Sequence, residues 1–150
     1  MLGHAMRSTG VWTYGVVNLA HIMGVSSFFG SILILDLRLL GVWRTTPIAS
    51  ISVPTERVAG LGFWIAIASG ACLLATKGSE YAGNPFLAIK FGAIGLGMVN
   101  VALLRASKVW REHRSRELSE DEQSRLAVFG GVSLFCWVSA MVAARMIAYW

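Results

Sequence analysis

Three ionisable side chains lie inside long apolar segments of this 150-residue chain: His21, Lys90 and Arg145. Burying such a group in hydrocarbon costs about 2.5 kcal/mol or more unless it faces a partner, so such residues commonly mark functional sites. A neutral imidazole can ligate a metal ion, whereas an amine or a guanidinium pairs with carboxylates and phosphates. No carboxylate accompanies the three groups at that depth. We therefore expect a ligand between them, either anionic or metal-bearing, to relieve their repulsion.

Haem meets these requirements. The imidazole of His21 is predicted to be an axial ligand and thus the metal-binding residue, while Arg145 or Lys90 pairs with the propionates. A deprotonated Lys90 is the alternative second axial ligand. His4 and His113 lie outside the apolar segments and on opposite sides, so a second histidine from the same chain is not expected. A symmetric dimer would supply a second His21.

Small and polar residues follow the same helical faces as these groups. Asn18 precedes His21 by about one turn and Gly24 follows it at i+3, while Asn100 lies on the face that carries Lys90. Small residues at this spacing let helices pack closely, and they would also leave room for a flat cofactor. The predicted cofactor-binding residues are His21, Lys90, Arg145, Asn18, Gly24 and Asn100.

Four apolar segments are each long enough to cross a bilayer, which takes about 20 residues. The chain is 14% charged, against roughly a quarter in soluble domains, and its mean hydropathy is +0.62. These features predict an all-α, integral membrane four-helix bundle that forms a single four-span domain over residues 1–150. The predicted spans are about 11–35, 58–76, 85–104 and 126–149.

Capping chemistry supports two of these boundaries. Asn84 followed by Pro85 is typical of a helix start, because proline at the first helical position lacks an N–H that would have no partner there. Ser119 and Glu122 have the spacing of a capping box ahead of the fourth span. Pro47 and Pro54 are expected to confine the first connection to turn and loop structure.

Basic residues cluster in the 36–57 and 105–125 connections. The excess of Lys and Arg in cytoplasmic loops predicts that both connections face the cytoplasm of a bacterial inner membrane and that both termini are periplasmic. The same distribution accounts for the net charge of +5, so nucleic acid is not expected as a partner. Antiparallel spans then place His21, Lys90 and Arg145 in the outer half of the bilayer. At the inner ends, Asp36 is expected to pair with an arginine.

The first apolar segment is longer than the apolar region of a signal peptide, which runs to about 15 residues. We therefore expect the first helix to remain in the mature protein.

Several strings resemble an uncharacterised family of small bacterial four-helix membrane proteins. They are His21-Ile-Met-Gly, Phe29-Gly30-Ser31, Asp36-Leu-Arg-Leu-Leu-Gly41, Asn84-Pro85 followed by Lys90, Asn100, and the closing Arg145 to Tyr149. The resemblance covers nearly the whole chain and implies the four-span architecture. That family carries no activity over to this chain.

A more distant similarity is to the membrane-embedded, haem-containing protoporphyrinogen oxidases. These proteins have a histidine in an early span, a glycine about ten residues later, and a lysine opening a later span, placed much as Lys90 is here. In that family the histidine and lysine are the functional pair around haem b, which implies His21 and Lys90 in this chain. The copper-resistance D membrane proteins are similar in architecture. This sequence lacks the oxidases' flanking motifs and has Asp36 and Arg145 instead.

Together these observations predict a haem b-binding integral membrane protein with a redox or electron-transfer role. The expected partners are membrane lipids, a quinone or porphyrin-type substrate, and a second copy of the chain or a redox partner. The alternative is a non-enzymatic membrane accessory subunit, or a small anion or metal transporter, without haem. The sequence leaves open whether the protein is an enzyme.

Overall fold

The computed structural model describes residues 11–77 and 83–149, and within them the regular structure is entirely helical. His4, which the sequence analysis placed outside the apolar segments, lies outside the described residues. The elements are α1 (Val11–Leu39), α2 (Ile48–Lys77), α3 (Pro85–Ala106), a short α4 (Lys108–Glu112) and α5 (Glu120–Met146), followed by a 3-10 turn (Ile147–Tyr149).

Four of these helices, α1, α2, α3 and α5, are long and apolar enough to cross a membrane. The shortest, α3, has 22 residues, so it is about 33 Å long and covers a hydrocarbon core of about 30 Å. The predicted fold class is confirmed: the chain is an all-α, multi-pass membrane protein with four spanning helices.

The two predicted helix caps are confirmed. The Asn84 side chain accepts a hydrogen bond from the backbone N–H of Phe86 at 2.9 Å, with Pro85 opening α3. Ser119 and Glu122 form a reciprocal capping box at the start of α5, with distances of 3.3 and 3.0 Å. The capping box starts α5 at Glu120, six residues before the predicted apolar span begins at Leu126. These first residues are helical but polar, so the apolar pattern does not include them.

The prediction that Pro54 lies in a loop is wrong. Helix α2 begins at Ile48 rather than at Val58, and Pro54 lies inside it. Proline removes one backbone donor from the helix. Next to it, the Thr55 hydroxyl donates to the backbone carbonyls of Ile51 at 2.6 Å and Ser52 at 3.2 Å, within the turn that contains the proline. Pro47 directly precedes the helix, as a loop residue.

The described residues divide into two compact units. The first contains α1 up to Ser31 and the segment Arg57–Gly83, and the second contains Ile32–Glu56 and the chain from Asn84 onward. In the second unit, a cluster of buried side chains forms the core: Leu35, Leu39, Ile48, Leu104, Trp110 and Leu126. The predicted single domain over residues 1–150 stays a prediction.

Glycines set how closely the helices approach within the first unit. A Cβ on Gly62 would lie 2.6 Å from the backbone nitrogen of Phe28 and 2.7 Å from the carbonyl oxygen of Gly24. A Cβ on Gly24 would lie 2.8 Å from the nitrogen of Ala66. These atoms belong to the backbone and cannot move aside, so both positions exclude any side chain. Close packing through small residues, one of the two interpretations of the stripe, is confirmed at Gly24.

In the second unit, α3 and α5 pack through Gly97, above which the Trp137 ring lies. A Cβ at Gly97 would be 2.9 Å from that ring. The Asn100 amide donates to the Phe129 carbonyl on α5 at 3.0 Å. This bond ties the two helices together at a buried position.

The connection between α4 and α5 is held by a charged cluster around Arg116. Its guanidinium donates to Glu112 at 2.7 and 2.9 Å and to Glu122 at 2.6 and 2.8 Å. Its hydrogen bonds lower the pKa of Glu112, and the bond to Glu122 raises that of Arg116.

Substituting Gly62→Ala is expected to destabilise the first unit by about 1–3 kcal/mol, because the new methyl group forces two helix backbones apart. The measurement is thermal unfolding in detergent, followed by circular dichroism. Gly60→Ala is the matched control on the same helix, since a Cβ there meets nothing within 4 Å. Equal melting temperatures for the two variants would contradict this packing.

Substituting Arg116→Gln is expected to return the pKa of Glu112 toward its ordinary value of 4.5. In the native protein the carboxylate is favoured on folding, so its contribution to stability is present above that ordinary value and is lost as the pH falls through the lowered pKa. Carboxyl carbon NMR of isotope-labelled glutamate measures the shift. Lys108→Gln, which removes a weaker Coulombic influence, should move the pKa of Glu112 less. A larger effect from Lys108→Gln would contradict the assignment.

Candidate functional site

His21 lies in α1, and its imidazole is hydrogen-bonded to α2. Nδ1 is 3.0 Å from the carbonyl oxygen of Ala66 and 3.1 Å from the hydroxyl oxygen of Ser69. A carbonyl oxygen only accepts, so Nδ1 carries the proton toward Ala66, and in the neutral ring Nε2 is the basic nitrogen. The Ser69 hydroxyl donates its hydrogen to the Ile65 carbonyl at 2.5 Å, so the hydroxyl oxygen of Ser69 accepts from Nδ1.

The small residues of α2 make the space that this ring occupies. A Cβ on Gly70 would lie 2.9 Å from Cε1 of His21 and 3.3 Å from its Nδ1. The buried Gly24 follows His21 by one turn, at the point where α1 meets α2. Asn18, one turn before His21, is half-buried. The position of the histidine is therefore set by helix packing on one side and by two hydrogen-bond acceptors on the other.

The remaining predicted site residues belong to the second unit. Lys90 is half-buried on α3, and Asn100 is buried and donates to Phe129. Arg145 is exposed near the end of α5, where it donates to the Tyr149 hydroxyl at 2.6 Å and lies 5.0 Å from the centre of that ring. No hydrogen bond or ion pair joins Lys90 to Arg145 in the part of the chain that is described. The convergence of His21, Lys90 and Arg145 on one ligand stays a prediction.

The prediction that Asp36 pairs with an arginine is wrong. Asp36 is 3% exposed, and within residues 11–77 and 83–149 its Oδ2 has no hydrogen-bond partner. The arginine of α3, Arg105, instead pairs with Glu56, at 3.7 Å.

Arg38 also has other partners than Asp36. Its guanidinium donates to the carbonyl oxygens of Thr46 at 2.7 Å and Arg44 at 3.3 Å. The tight turn after α1, with positive φ at Gly41 and Trp43, leaves these carbonyls without helical partners. The guanidinium is therefore used to stabilise the connection.

A buried polar pair that the sequence analysis did not find joins α2 to the end of α4. Ser52, which is fully buried, has its hydroxyl 2.8 Å from Nε2 of His113. The Nδ1 of His113 is hydrogen-bonded to the Trp110 carbonyl, and the imidazole stacks on the Trp110 ring at 4.2 Å. Because Nδ1 donates to the Trp110 carbonyl, Nε2 accepts a hydrogen bond from the Ser52 hydroxyl. The hydroxyl has no exposed surface for a substrate to reach, so the pair is structural.

Ser52 and His113 are 61 residues apart, and His113 lies in a charged connection without hydrophobic periodicity. No local pattern in the sequence therefore links them. The one available signal in the sequence is that His113, the single histidine of this connection, follows Trp110 by three residues, about one helical turn.

Among the described residues, no group of three or more His, Cys, Asp and Glu side chains is arranged to hold a metal ion. Haem supplies four ligands of its own and requires a single protein ligand at the least, so the test for this group rests on His21. The hydrogen bond from Nδ1 and the fixed orientation of the ring are compatible with a metal ligand and equally with a structural interhelical histidine.

Comparison with known proteins identified no matching family model, curated protein or solved structure. The fold and the site by themselves define a four-span, all-α membrane protein in which a histidine of one spanning helix is hydrogen-bonded to the next.

Substituting Ser52→Ala is expected to lower the free energy of unfolding by about 1–3 kcal/mol, because it leaves the buried Nε2 of His113 without its donor. Denaturant titration of the protein in detergent micelles measures this loss. Ser50→Ala, at an exposed position on the same helix, is the matched control. Indistinguishable stabilities of the two variants would show that the hydrogen bond contributes nothing.

Proposed function

We propose that this protein is a haem b-binding integral membrane protein with an electron-transfer role, in which Nε2 of His21 is an axial ligand. One observation carries the proposal: inside a membrane-spanning helix, Nδ1 of His21 donates to the Ala66 carbonyl. This arrangement selects the tautomer in which Nε2 has the lone pair that a metal requires.

The hydrogen bonds of His21 would suit a metal-binding histidine. Such histidines almost always donate their second ring N–H to a carbonyl, a carboxylate or water, which orients the ring and raises its basicity. Ala66 and Ser69 would serve this purpose here. Gly70 contributes by leaving room at the ring's edge.

When bound, haem would supply an iron that exchanges one electron between its ferrous and ferric states. The residues of the chain would hold and orient it. In this proposal Lys90 or Arg145 pairs with the propionates, or Lys90 is the second axial ligand. Electrons would pass between a quinone or porphyrin-type compound and a redox partner. The proposal also places the protein in the bacterial inner membrane, with periplasmic termini and cytoplasmic 36–57 and 105–125 connections.

A second candidate function is a non-enzymatic membrane module, either an accessory subunit or a small transporter. The observation that favours it is the same hydrogen bond considered together with the Gly24–Gly62 contact. Both join α1 to α2 within the first unit. In this case His21 is an interhelical tie that satisfies a backbone carbonyl, and no cofactor is involved.

The absorption spectrum of the detergent-solubilised protein separates the two functions. Protein purified from haem-replete cells is expected to show a Soret band that shifts on reduction. His21→Gln is expected to lose that band, because the glutamine amide can donate to the Ala66 carbonyl but does not ligate haem iron. The helical circular dichroism of this variant should be unchanged.

The matched control is His113→Gln, which alters the other described histidine and is expected to keep the Soret band per mole of folded protein. A folded wild-type protein without a Soret band would reject haem binding in favour of the membrane module. A full Soret band in His21→Gln would reject the role of His21 as the axial ligand.

A further inference from the structure

A small polar pocket lies in the second unit, where α2, the end of α3, and α4 come together. Its volume is about 330 Å³, and it is lined by Glu56, Arg105, Trp110, Arg111, His113 and Arg114. Trp110 and His113 are buried and form its rigid part, since their rings stack on each other. The buried Ser52–His113 hydrogen bond fixes this part to α2.

One carboxylate positions two of the three guanidiniums in this pocket. Arg114 is 3.0 Å from Oε1 of Glu56, and Arg105 is 3.7 Å from Oε2. The third, Arg111, makes no ion pair with any residue in the ranges 11–77 and 83–149. Three guanidiniums face a single carboxylate, so the pocket has an excess of two positive charges. An anion that accepts hydrogen bonds from several planar donors complements it, and phosphate is the group whose geometry guanidinium matches best.

The position of the pocket along the spanning helix indicates where that phosphate comes from. In α3 no charged residue lies between Lys90 and Arg105, and Leu103, at the end of that apolar run, is 57% exposed. A basic residue that directly follows the apolar part of a span lies at the level of the lipid headgroups. Basic pockets between spanning helices at that level bind the headgroups of anionic phospholipids. The volume is at the lower end for a ligand site, which suits a headgroup rather than an acyl chain.

We propose that this pocket binds the phosphate of an anionic phospholipid headgroup. Arg105, Arg111 and Arg114 donate to the phosphate oxygens. Glu56 holds the first and third of these guanidiniums in place, and the stacked Trp110 and His113 rings form the wall behind them. The proposed site shares no residue with the proposed haem site and does not depend on haem.

The test measures lipid binding by native mass spectrometry of the delipidated full-length protein in detergent micelles. Phosphatidylglycerol is expected to bind more tightly than phosphatidylcholine, whose headgroup has the same phosphate but no net charge. Arg111→Gln and Arg105→Gln are each expected to weaken phosphatidylglycerol binding by about fivefold, the size of one partly exposed ion pair. Arg111 is exposed and makes no described ion pair, so its variant tests the site without disturbing the fold.

Arg125→Gln is the matched control, because it removes the same charge at an exposed position in the first turns of α5, outside the pocket. It is expected to leave the affinity within about twofold. Equal losses in all three variants would show a general charge effect and overturn the pocket. Equal binding of the two lipids would overturn it as well. Inorganic phosphate, added at the concentration of the lipid, is expected not to displace phosphatidylglycerol, and displacement would overturn the lipid as the source of the phosphate.

Discussion

Polar groups inside a bilayer have no water to bind, so the protein itself has to supply their hydrogen-bond partners, and this constraint accounts for the helices and for the bonds of His21 and Asn100. Helices satisfy the backbone along the four spans. The polar side chains within the spans then turn to backbone carbonyls, as His21 does to Ala66 and Asn100 does to Phe129. Each of these bonds connects two helices. These two groups thereby tie α1 to α2 and α3 to α5.

These interhelical bonds require short distances, and glycine supplies them. The imidazole of His21 reaches the Ala66 carbonyl because Gly24 and Gly62 let α1 and α2 approach to backbone contact, and because Gly70 leaves its edge open. The same packing serves both proposed functions. A ligand-binding histidine needs a fixed ring, and a structural one needs a fixed partner. The geometry around His21 is therefore the same for the haem-binding protein and for the membrane module. The two functions differ in whether iron binds to Nε2.

Charges outside the hydrocarbon are organised differently, because water and lipid headgroups can also solvate them. Glu56 holds two arginines, Arg38 satisfies loop carbonyls, and Arg116 joins two glutamates. The partly exposed ion pairs of Glu56 and Arg116 each contribute little to stability by themselves. Their effect is to position guanidiniums at the end of a span, where the phosphates of a membrane lie. A membrane protein can thus use its orienting charges as a lipid site.

Hydrophobic segment length by itself determined that this chain spans a membrane four times, and capping residues at Asn84 and Ser119 determined where two helices begin, because both signals are local along the sequence. The sequence also singled out His21, because an ionisable residue inside an apolar segment can be recognised without a structure. Tertiary structure decided the partners. The Ser52–His113 pair and the choice of Glu56 over Asp36 by Arg105 depend on residues far apart in sequence, and Pro54 lies in a helix against its local preference. Such pairings depend on which helix faces pack against each other, and the local sequence pattern does not specify this.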